Sequence, residues 1–300
     1  MVETFVTPNH KLYVKSRYKT VFELVEAQNV YKKRFQFKRN CANINEHAQT
    51  CALRLGDDIK NYDMEHYLKL LGMFYSDARF NNDRFIITTN KKNKVFYLDK
   101  IGRVLELNWQ KTINGEQTTY TFIDQHDPLL FSRLKNLIVP RTGKLPEFVW
   151  QLSEKNCQHL MDGFIYGDGS MRKNTQVIMF YTSDAILVDE IQKLAFHCGW
   201  SANISIVRDA GERSVNNAAE GQEVQNDSNS ATAYRVGINR HKNEPQINHG
   251  HVHQQNGQSE QWVDYKGQVG CLEIPETHLF YYRENKLAPP HWSGNSSRQG

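Results

Sequence analysis

LMDGFIYGDGSM, residues Leu160–Met171, is the stretch that decides the predicted fold of this chain of 300 residues. Its apolar residues have helical spacing, and Gly169 is predicted to end the helix. Asp168 then lies at the helix C-terminus, where the helix dipole disfavours a negative charge. A hard cation such as Mg²⁺ against the carboxylate would remove this conflict. The alternative is an ordinary polar residue in a glycine turn.

The same layout occurs earlier in the chain, in LKLLGMFYSDARF, residues Leu68–Phe80. Gly72 precedes Asp77 by the same five positions that separate Gly163 from Asp168. A glycine inside a helix costs roughly 1 kcal/mol relative to alanine. That cost is tolerated where two helices approach closely, because no Cβ separates them. Two such helices side by side would bring the two acids together, and a divalent ion would relieve their repulsion.

Both segments resemble the paired motifs of the LAGLIDADG (DOD-type) homing endonucleases. The resemblance is most specific in LPEFVWQLSEKNCQHLMDGFIYGDGS, residues 145–170, and continues in TSDAILVDEIQKLAFHCGW, residues 182–200. It implies an α+β fold of two pseudo-symmetric αββαββα halves whose motif helices, with Gly72 and Gly163, form the seam. It also implies double-strand DNA cleavage with Mg²⁺ bound by Asp77 and Asp168. The first motif departs from the family pattern at Ala78, where glycine is usual.

Composition restricts the classes of protein to consider. Hydrophobic residues make up 39% of the chain, enough for a packed core, and the net charge is only +4. Binding of double-stranded DNA must therefore depend on local clusters of charge. The five cysteines show no CxxC spacing, which argues against a zinc ribbon and indicates a reducing, intracellular location in nucleus or cytoplasm. No apolar run is long enough for a membrane span, and the first residues lack a signal-peptide core.

Near the N-terminus, Thr4–Lys15 alternates in polarity around Thr7-Pro8-Asn9-His10, which predicts a strand, a turn and a strand. The turn resembles block B of inteins, self-splicing elements with a Hint fold. In that family the Thr and His of the block polarise the peptide bond at the upstream junction, roles that the resemblance gives to Thr7 and His10. The alternative is an ordinary turn with a surface histidine.

The stretch Tyr31–Asn40 alternates aromatic and basic residues. It fits either a strand with Phe35 and Phe37 buried or a nucleic-acid surface with stacking aromatic rings. The period of two favours the strand. Further on, Tyr234–Ile238 alternates as well and is predicted to return to the endonuclease sheet. Arg235 and Arg240 would then face DNA phosphates.

The C-terminal stretch VGCLEIPETHLFYYRENKLAPPHWSGNS, residues 269–296, resembles intein blocks F and G. The amide nitrogen of Asn295 can attack its own carbonyl carbon, closing a succinimide and releasing Ser296; ring closure is favoured because it is intramolecular. His278 is the candidate acid/base for the leaving amine, and Ser296 would accept the upstream acyl group as an ester. Gly294 stands where the family usually has histidine, which puts more weight on His278 and on His291.

These patterns together predict an α+β chain in which a LAGLIDADG endonuclease is inserted in a mostly β, split Hint domain. The first intein block, which carries the upstream nucleophile, has no counterpart in the sequence. The C-terminal SSRQG resembles the second-largest (beta) subunit of DNA-directed RNA polymerase, a candidate host protein. The predicted boundaries are Hint residues 1–63 and 263–295, endonuclease 64–242 with a polar insertion at 209–230, a polar linker at 243–262, and host residues 296–300.

Two functions follow from the resemblances. The first is an intein whose homing endonuclease cuts double-stranded DNA at a specific site with Mg²⁺, and whose C-terminal junction undergoes protein splicing by Asn cyclisation. The chain's second partner is then its own flanking host sequence. The alternative is a degenerate intein remnant that binds DNA or performs only C-terminal peptide cleavage.

Overall fold

The structure is a computed structural model that describes residues 4–140, 142–171, 177–208, 231–247, 260–270, 272 and 274–296. The predicted insertion at 209–230, residues 248–259 of the predicted linker and residues 297–300 lie outside the described residues. Internal contacts divide the chain into two compact units. Unit 1 comprises Met1–Asn40, Trp200–Ile204 and Asn239–Gly300, and unit 2 comprises Cys41–Gly199 and Ser205–Ile238. Over the described residues, the helices are too short or too polar for any of them to cross a membrane.

Unit 2 contains the same succession of element types twice, as the sequence predicts. The first half runs through α2 (Met64–Asp77), β6 (Arg79–Asn81), β7 (Arg84–Thr89), α3 (Lys92–Val104), β8 (Gln110–Asn114), β9 (Gln117–Phe122) and α4 (Pro128–Ile138). The second runs through α5 (Glu154–Asp168), β10 (Ser170–Met171), β11 (Ile178–Thr182), α6 (Ala185–His197), β12 (Ser201–Arg208) and β13 (Ala233–Asn239). The first four residues of β12 and the last residue of β13 are counted in unit 1. The architecture is therefore mixed α and β, with a duplicated α-β-β-α-β-β order.

Each half contributes one four-stranded sheet. The strand orders are β6-β7-β9-β8 and β10-β11-β13-β12. In the first sheet the alternation of strand side chains separates two faces: Phe85, Ile87, Tyr120 and Phe122 are buried, whereas their sequence neighbours point outward. Most side chains on the outward face are polar.

Polar caps account for the helix starts in unit 2. The side chain of Asp63 accepts the N–H of His66 at 2.9 Å at the start of α2, and Ser153 accepts that of Asn156 at 3.2 Å at the start of α5. Such caps satisfy N–H groups that have no partner within the helix, and each contributes about 1 kcal/mol.

The first unit boundary lies between Asn40 and Cys41, not at the predicted position 63. The residues between these positions form a hairpin of β4 (Thr50–Leu55) and β5 (Asp58–Asp63), which packs against α2 and α4. The sequence offers no composition change at residue 40, because the boundary results from these tertiary contacts.

The buried face of α3, Lys92–Val104, includes a lysine. Val104 is 42% exposed, whereas Lys94 is buried. The buried positions Lys94, Leu98 and Ile101 follow helical spacing, so the lysine occupies a position on the inner face of the helix.

The described part of unit 1 is mostly β. Its five-stranded sheet has the order β14-β15-β1-β2, with β3 paired to β1. The elements are β1 (His10–Ser16), β2 (Glu23–Glu26), a short α1 (Ala27–Val30), β3 (Phe35–Phe37), β14 (Leu279–Tyr282) and β15 (His291–Ser296). The core of this sheet contains Leu12, Val14, Val30 and Phe37.

Two local predictions for unit 1 turn out differently. The strand expected before the Thr7–His10 turn does not form; the first strand begins at His10, whose N–H donates to the Thr7 carbonyl at 3.1 Å. Pro8, which has no N–H to donate, weakens any ladder there. The alternation in Tyr31–Asn40 does produce a strand with Phe37 buried, although it covers only Phe35–Phe37.

Candidate functional site

The helices α2 and α5 pack against each other more extensively than any other pair of described elements. Gly72 and Gly163 lie at their crossing. A methyl group on Gly72 would lie 2.9 Å from Cα of Gly163 and 2.8 Å from the backbone nitrogen of Phe164, and one on Gly163 would collide with the Lys69 carbonyl oxygen. These contacts are to backbone atoms, which cannot rotate away, so neither position has room for a side chain.

Asp77 and Asp168 are the last residues of the two helices, so the seam brings both carboxyl groups to one end of the pair. Partial desolvation by the surrounding chain raises the pKa of Asp168, and the negative charge of Asp77 raises it further. Lys94 and Lys91 oppose these effects. Asp168 nevertheless stays on the exposed surface, where a phosphate could reach it.

Lys94 connects the two helix ends, and the sequence analysis did not single it out. Its Nζ donates to Oδ2 of Asp77 at 2.5 Å and to the Gly167 carbonyl oxygen at 3.0 Å, and its side chain is only 5% exposed. A buried ammonium requires such partners. The signal for it was present, since Lys94 shares a helix face with Leu98 and Ile101.

The residues at this end fit a hard divalent cation. The ammonium groups of Lys94 and Lys91 balance the formal charge of the two carboxylates, and the dipoles of the two helices add negative potential at their C-termini. Among the described residues no group of three or more His, Cys, Asp and Glu side chains could hold a metal. An ion here would rely on two carboxylates, with water and phosphate oxygens completing its shell, which suits Mg²⁺.

We expect Asp168→Asn to stabilise the metal-free protein at neutral pH. The folded-state pKa of Asp168 lies above its unfolded value, so the native state holds its proton longer and stability falls as pH rises through that interval. The neutral amide removes this cost. Thermal unfolding in EDTA should therefore show a higher Tm for the variant at pH 7, and the difference should disappear in acid, below the ordinary carboxyl pKa. A variant that is less stable than the wild type at pH 7 would contradict the raised pKa of Asp168.

The two arginines predicted to face DNA lie in different settings. Arg235 is on β13, opposite Tyr181 of β11, and its Nε donates to Oγ of Ser205 at 3.1 Å. Arg240 follows the end of β13, and its guanidinium lies 4.6 Å from the ring centroid of Trp200. Arg235 therefore belongs to a strand of unit 2, whereas Arg240 has a packing contact within unit 1.

In unit 1 the structure places the N-terminal turn beside the C-terminal strand. Strand β1 pairs with β15, and His10 lies opposite Ser296 in this register. Nε2 of His10 is 2.8 Å from Oγ of Ser293, a buried hydrogen bond between residues 283 positions apart. Thr7 is connected to this contact through its carbonyl, which accepts the His10 N–H.

Asn295 is held by three backbone groups. Its N–H donates to the carbonyl oxygen of His278 at 3.1 Å. In the amide orientation that satisfies both groups, its side-chain nitrogen donates to the Leu272 carbonyl at 2.6 Å and its oxygen accepts from the Ile274 N–H at 3.1 Å. The imidazole of His278 is exposed, so this residue contributes its backbone carbonyl to β15.

Gly294 stands where the intein pattern usually has histidine, and the packing explains the glycine. A methyl group there would collide with the side chain of Leu24 and lie 3.0 Å from the Lys11 carbonyl oxygen. A larger side chain at this position would therefore require Leu24 and the neighbouring backbone to move.

His291, the other histidine given weight by the sequence, lies at the start of β15. Its ring is fully buried, edge-on to Phe37, and neither ring nitrogen has a hydrogen-bond partner among the described residues. Burial lowers the pKa of His291 to about 4, and the nearby Pro289 carbonyl offsets only part of this shift. The ring is therefore neutral at pH 7. Next to it, buried Arg39 donates to the carbonyl oxygens of Pro290 at 3.3 Å and Ala202 at 2.9 Å.

No protein-family model matches the chain. Among curated proteins, it is similar to the DNA-directed RNA polymerase subunit beta C-terminal section of Stigeoclonium helveticum, at 26% identity over 350 aligned residues that cover 100% of this chain and 31% of that protein. It is also similar to the ATP-dependent Clp protease proteolytic subunit of Chlamydomonas moewusii, at 22% identity over 236 residues that cover 68% of this chain and 22% of that protein. The chain thus spans less than a third of the length of either relative.

Among solved structures, the chain is similar to I-DmoI in complex with DNA and Mn, with a TM-score of 0.36, 12% identity, and coverage of 58% of this chain and 89% of that chain. Full-length DUF199/WhiA from Thermatoga maritima gives a TM-score of 0.39 and 10% identity, covering 60% and 52% of the two chains. The N-terminal LAGLIDADG domain of DUF199/WhiA gives a TM-score of 0.37 and 11% identity, covering 60% and 77%. Each aligns with about three fifths of this chain, at a TM-score below 0.5.

Proposed function

We propose that unit 2 is a homing endonuclease that cuts double-stranded DNA at a specific site with Mg²⁺. The observation that carries this proposal is the pair of carboxylates at the ends of α2 and α5, close enough for the charge of Asp77 to raise the pKa of Asp168. Two acids held together at a cost in stability are typical of a functional site. The motif resemblance of both helices supports the same function.

The outward face of the first sheet supports DNA as the substrate. Beside the half-buried Ile86 it presents hydrogen-bonding side chains from three strands: Arg84, Thr88, Gln110, Thr112, Gln117 and Thr119. Amides, hydroxyls and guanidinium groups are suited to base edges and phosphates in a groove wide enough for β-strands. Arg235 would contribute from the second sheet, and Arg240 only weakly because its guanidinium already packs on Trp200.

In this function Asp77 and Asp168 would hold the cation, which supplies Lewis-acid stabilisation of charge on the phosphate when it is bound. Lys94 holds the carboxylate of Asp77 in place through its ion pair. The exposed carboxylate of Asp168 leaves the phosphate side of the site open. The seam glycines set the separation of the two acids, because they fix how closely the helix backbones approach.

The test is DNA cleavage by the wild type and by Asp168→Asn in Mg²⁺, with EDTA as the metal-free condition. Equal cutting by both proteins would defeat the assignment. A second readout does not depend on knowing the target sequence: Mg²⁺ should raise the Tm of the wild type and leave that of Asp168→Asn nearly unchanged, because only the wild type retains both ligands.

We propose further that the endonuclease is carried by an intein. Both curated relatives align with this chain over a minor part of their own length, and their names, a polymerase subunit and a protease subunit, are unrelated. A segment common to two such proteins is more readily explained as an inserted element than as the part that gives either its name. The polymerase relative supports an RNA polymerase beta subunit as host. The free cysteines among the described residues support an intracellular, reducing location.

The contact between His10 and Ser293 favours a second activity in unit 1, peptide cleavage at the bond between Asn295 and Ser296. The side-chain nitrogen of Asn295 attacks its backbone carbonyl carbon, a C–N bond forms, and the peptide bond to Ser296 breaks. The attacking nitrogen loses one proton and the nitrogen of Ser296 gains one, so the products are a C-terminal succinimide and a free amine. In full splicing, Ser296 would already carry the upstream acyl group.

We expect Asn295→Ala to abolish release of residues 296–300. The wild type incubated near neutral pH should lose the mass of this peptide over hours, whereas the variant lacks the nitrogen that closes the ring. Intact-mass spectrometry over time measures both. Release at the same rate from the variant would show that hydrolysis or a contaminating protease, not Asn cyclisation, cleaves the bond.

A further inference from the structure

The hydrogen bond between His10 and Ser293 has no place in the roles that the resemblance assigns. His10 was expected to act at the upstream junction, yet its Nε2 is bound to a serine only two residues before Asn295. Ser293 is itself fully buried, and it lies on β15 two residues before Asn295, where an irregularity in the pairing with β1 separates it from Ser296. A buried imidazole is thereby fixed next to the C-terminal junction.

The register of the sheet also places His10 beside the C-terminal junction. His10 is the residue of β1 opposite Ser296, whose nitrogen is the leaving group. The other candidate imidazoles are less suitable: that of His278 is exposed, and that of His291 is enclosed beside Phe37 at the far end of the strand. A ring at position 294 would require Leu24 and the neighbouring backbone to move.

We propose that Ser293 is a positioning residue that holds His10 as the proton donor for the leaving amine of Ser296. This inference rests on the peptide cleavage proposed above. Nε2–H of His10 donates to the hydroxyl oxygen of Ser293, so the ring proton stays on Nε2 and Nδ1 keeps its lone pair. Nδ1 takes a proton from the side-chain nitrogen of Asn295 as the imide forms and gives it to the nitrogen of Ser296 as the peptide bond breaks. Protons and bonds balance without a further reactant.

The test is release of residues 296–300 by the full chain, measured by mass spectrometry. We expect Ser293→Ala to slow release by at least about tenfold, the equivalent of one lost hydrogen bond of about 1.4 kcal/mol. Ser293→Thr, which restores a hydroxyl, should recover most of the rate. The matched control is Ser201→Ala, another buried serine of unit 1, whose hydroxyl is bonded to Asn243 at 2.7 Å and which should cleave like the wild type.

A second measurement protects the test against variants that fold poorly. Histidine-selective ¹⁵N NMR on the uncleavable Asn295→Ala chain should show His10 with a protonated Nε2 and an unprotonated Nδ1, and adding Ser293→Ala should disturb this tautomer. Wild-type release by Ser293→Ala, or a proton on Nδ1 in place of Nε2, would overturn the role of Ser293 while leaving the cleavage intact. A wild type that releases no peptide would instead refute the cleavage itself, and the inference with it.

Discussion

Asp168→Asn should lower the rate of double-strand DNA cleavage by at least about 1,000-fold, because metal-ion catalysis contributes several kcal/mol of transition-state stabilisation and each 1.4 kcal/mol is tenfold in rate. The substitution keeps the size of the side chain and removes the negative charge that would hold the cation. It also relieves the like-charge cost with Asp77, so the loss of activity should accompany unchanged or increased stability in EDTA. If unfolding caused the loss of activity, the variant would instead be less stable than the wild type in EDTA.

A pool of supercoiled plasmids with random inserts serves as substrate, and sequencing of the cut ends gives both rate and site. The matched control is Asp83→Asn, the same chemical change at an exposed carboxylate of unit 2 whose partner is surface Lys135. This variant should cut at nearly the wild-type rate, since exposed ion pairs contribute little. Equal loss in both variants would mean that a general change in charge, not the paired acids, explains the effect.

Gly72→Ala should destabilise unit 2 by about 2 kcal/mol. Alanine has the higher helix propensity by roughly 1 kcal/mol, which would stabilise an exposed helix. Here the added methyl group meets the backbone of α5, with Gly163 Cα at 2.9 Å, and overpacking of this kind costs about 3 kcal/mol. The steric cost exceeds the propensity gain, so the sign of the effect itself distinguishes a tight seam from a loose one.

Urea unfolding, compared between the variant and the wild type, measures this change in stability. Gly237→Ala is the control, because a methyl group on this buried strand glycine would make only ordinary contacts at 3.6 Å or more. That variant should be neutral or slightly more stable. Gly163→Ala should resemble Gly72→Ala, and the double variant should cost less than the sum, because both methyl groups open the same contact. A stabilised Gly72→Ala protein would refute the close approach.

The sequence predicted the seam well because its signals are local and repeated. Glycine five positions before an acid occurs twice, and each helix ends at that acid. The duplicated element order was implied by the resemblance of the two segments to the endonuclease family. These features need no knowledge of which residues meet across the fold, except for the assumption that the two glycines face each other.

The missed features depend on contacts between distant residues. Lys94 looks like a solvated cation until α3 is placed with its face against the helix ends. The hairpin at residues 50–63 joins unit 2 because it packs on α2, which follows it directly, and on α4, which lies some seventy positions further along the chain. The bond between His10 and Ser293 requires the register of β1 and β15, which alternation alone cannot determine.

The glycine contact between α2 and α5 also has a consequence for how this architecture can be rearranged. At the crossing itself the contact is between main-chain atoms, so the identity of the partner helix matters less there than the absence of a side chain. A half from a related chain that keeps a glycine at this crossing should therefore still pack against the other half.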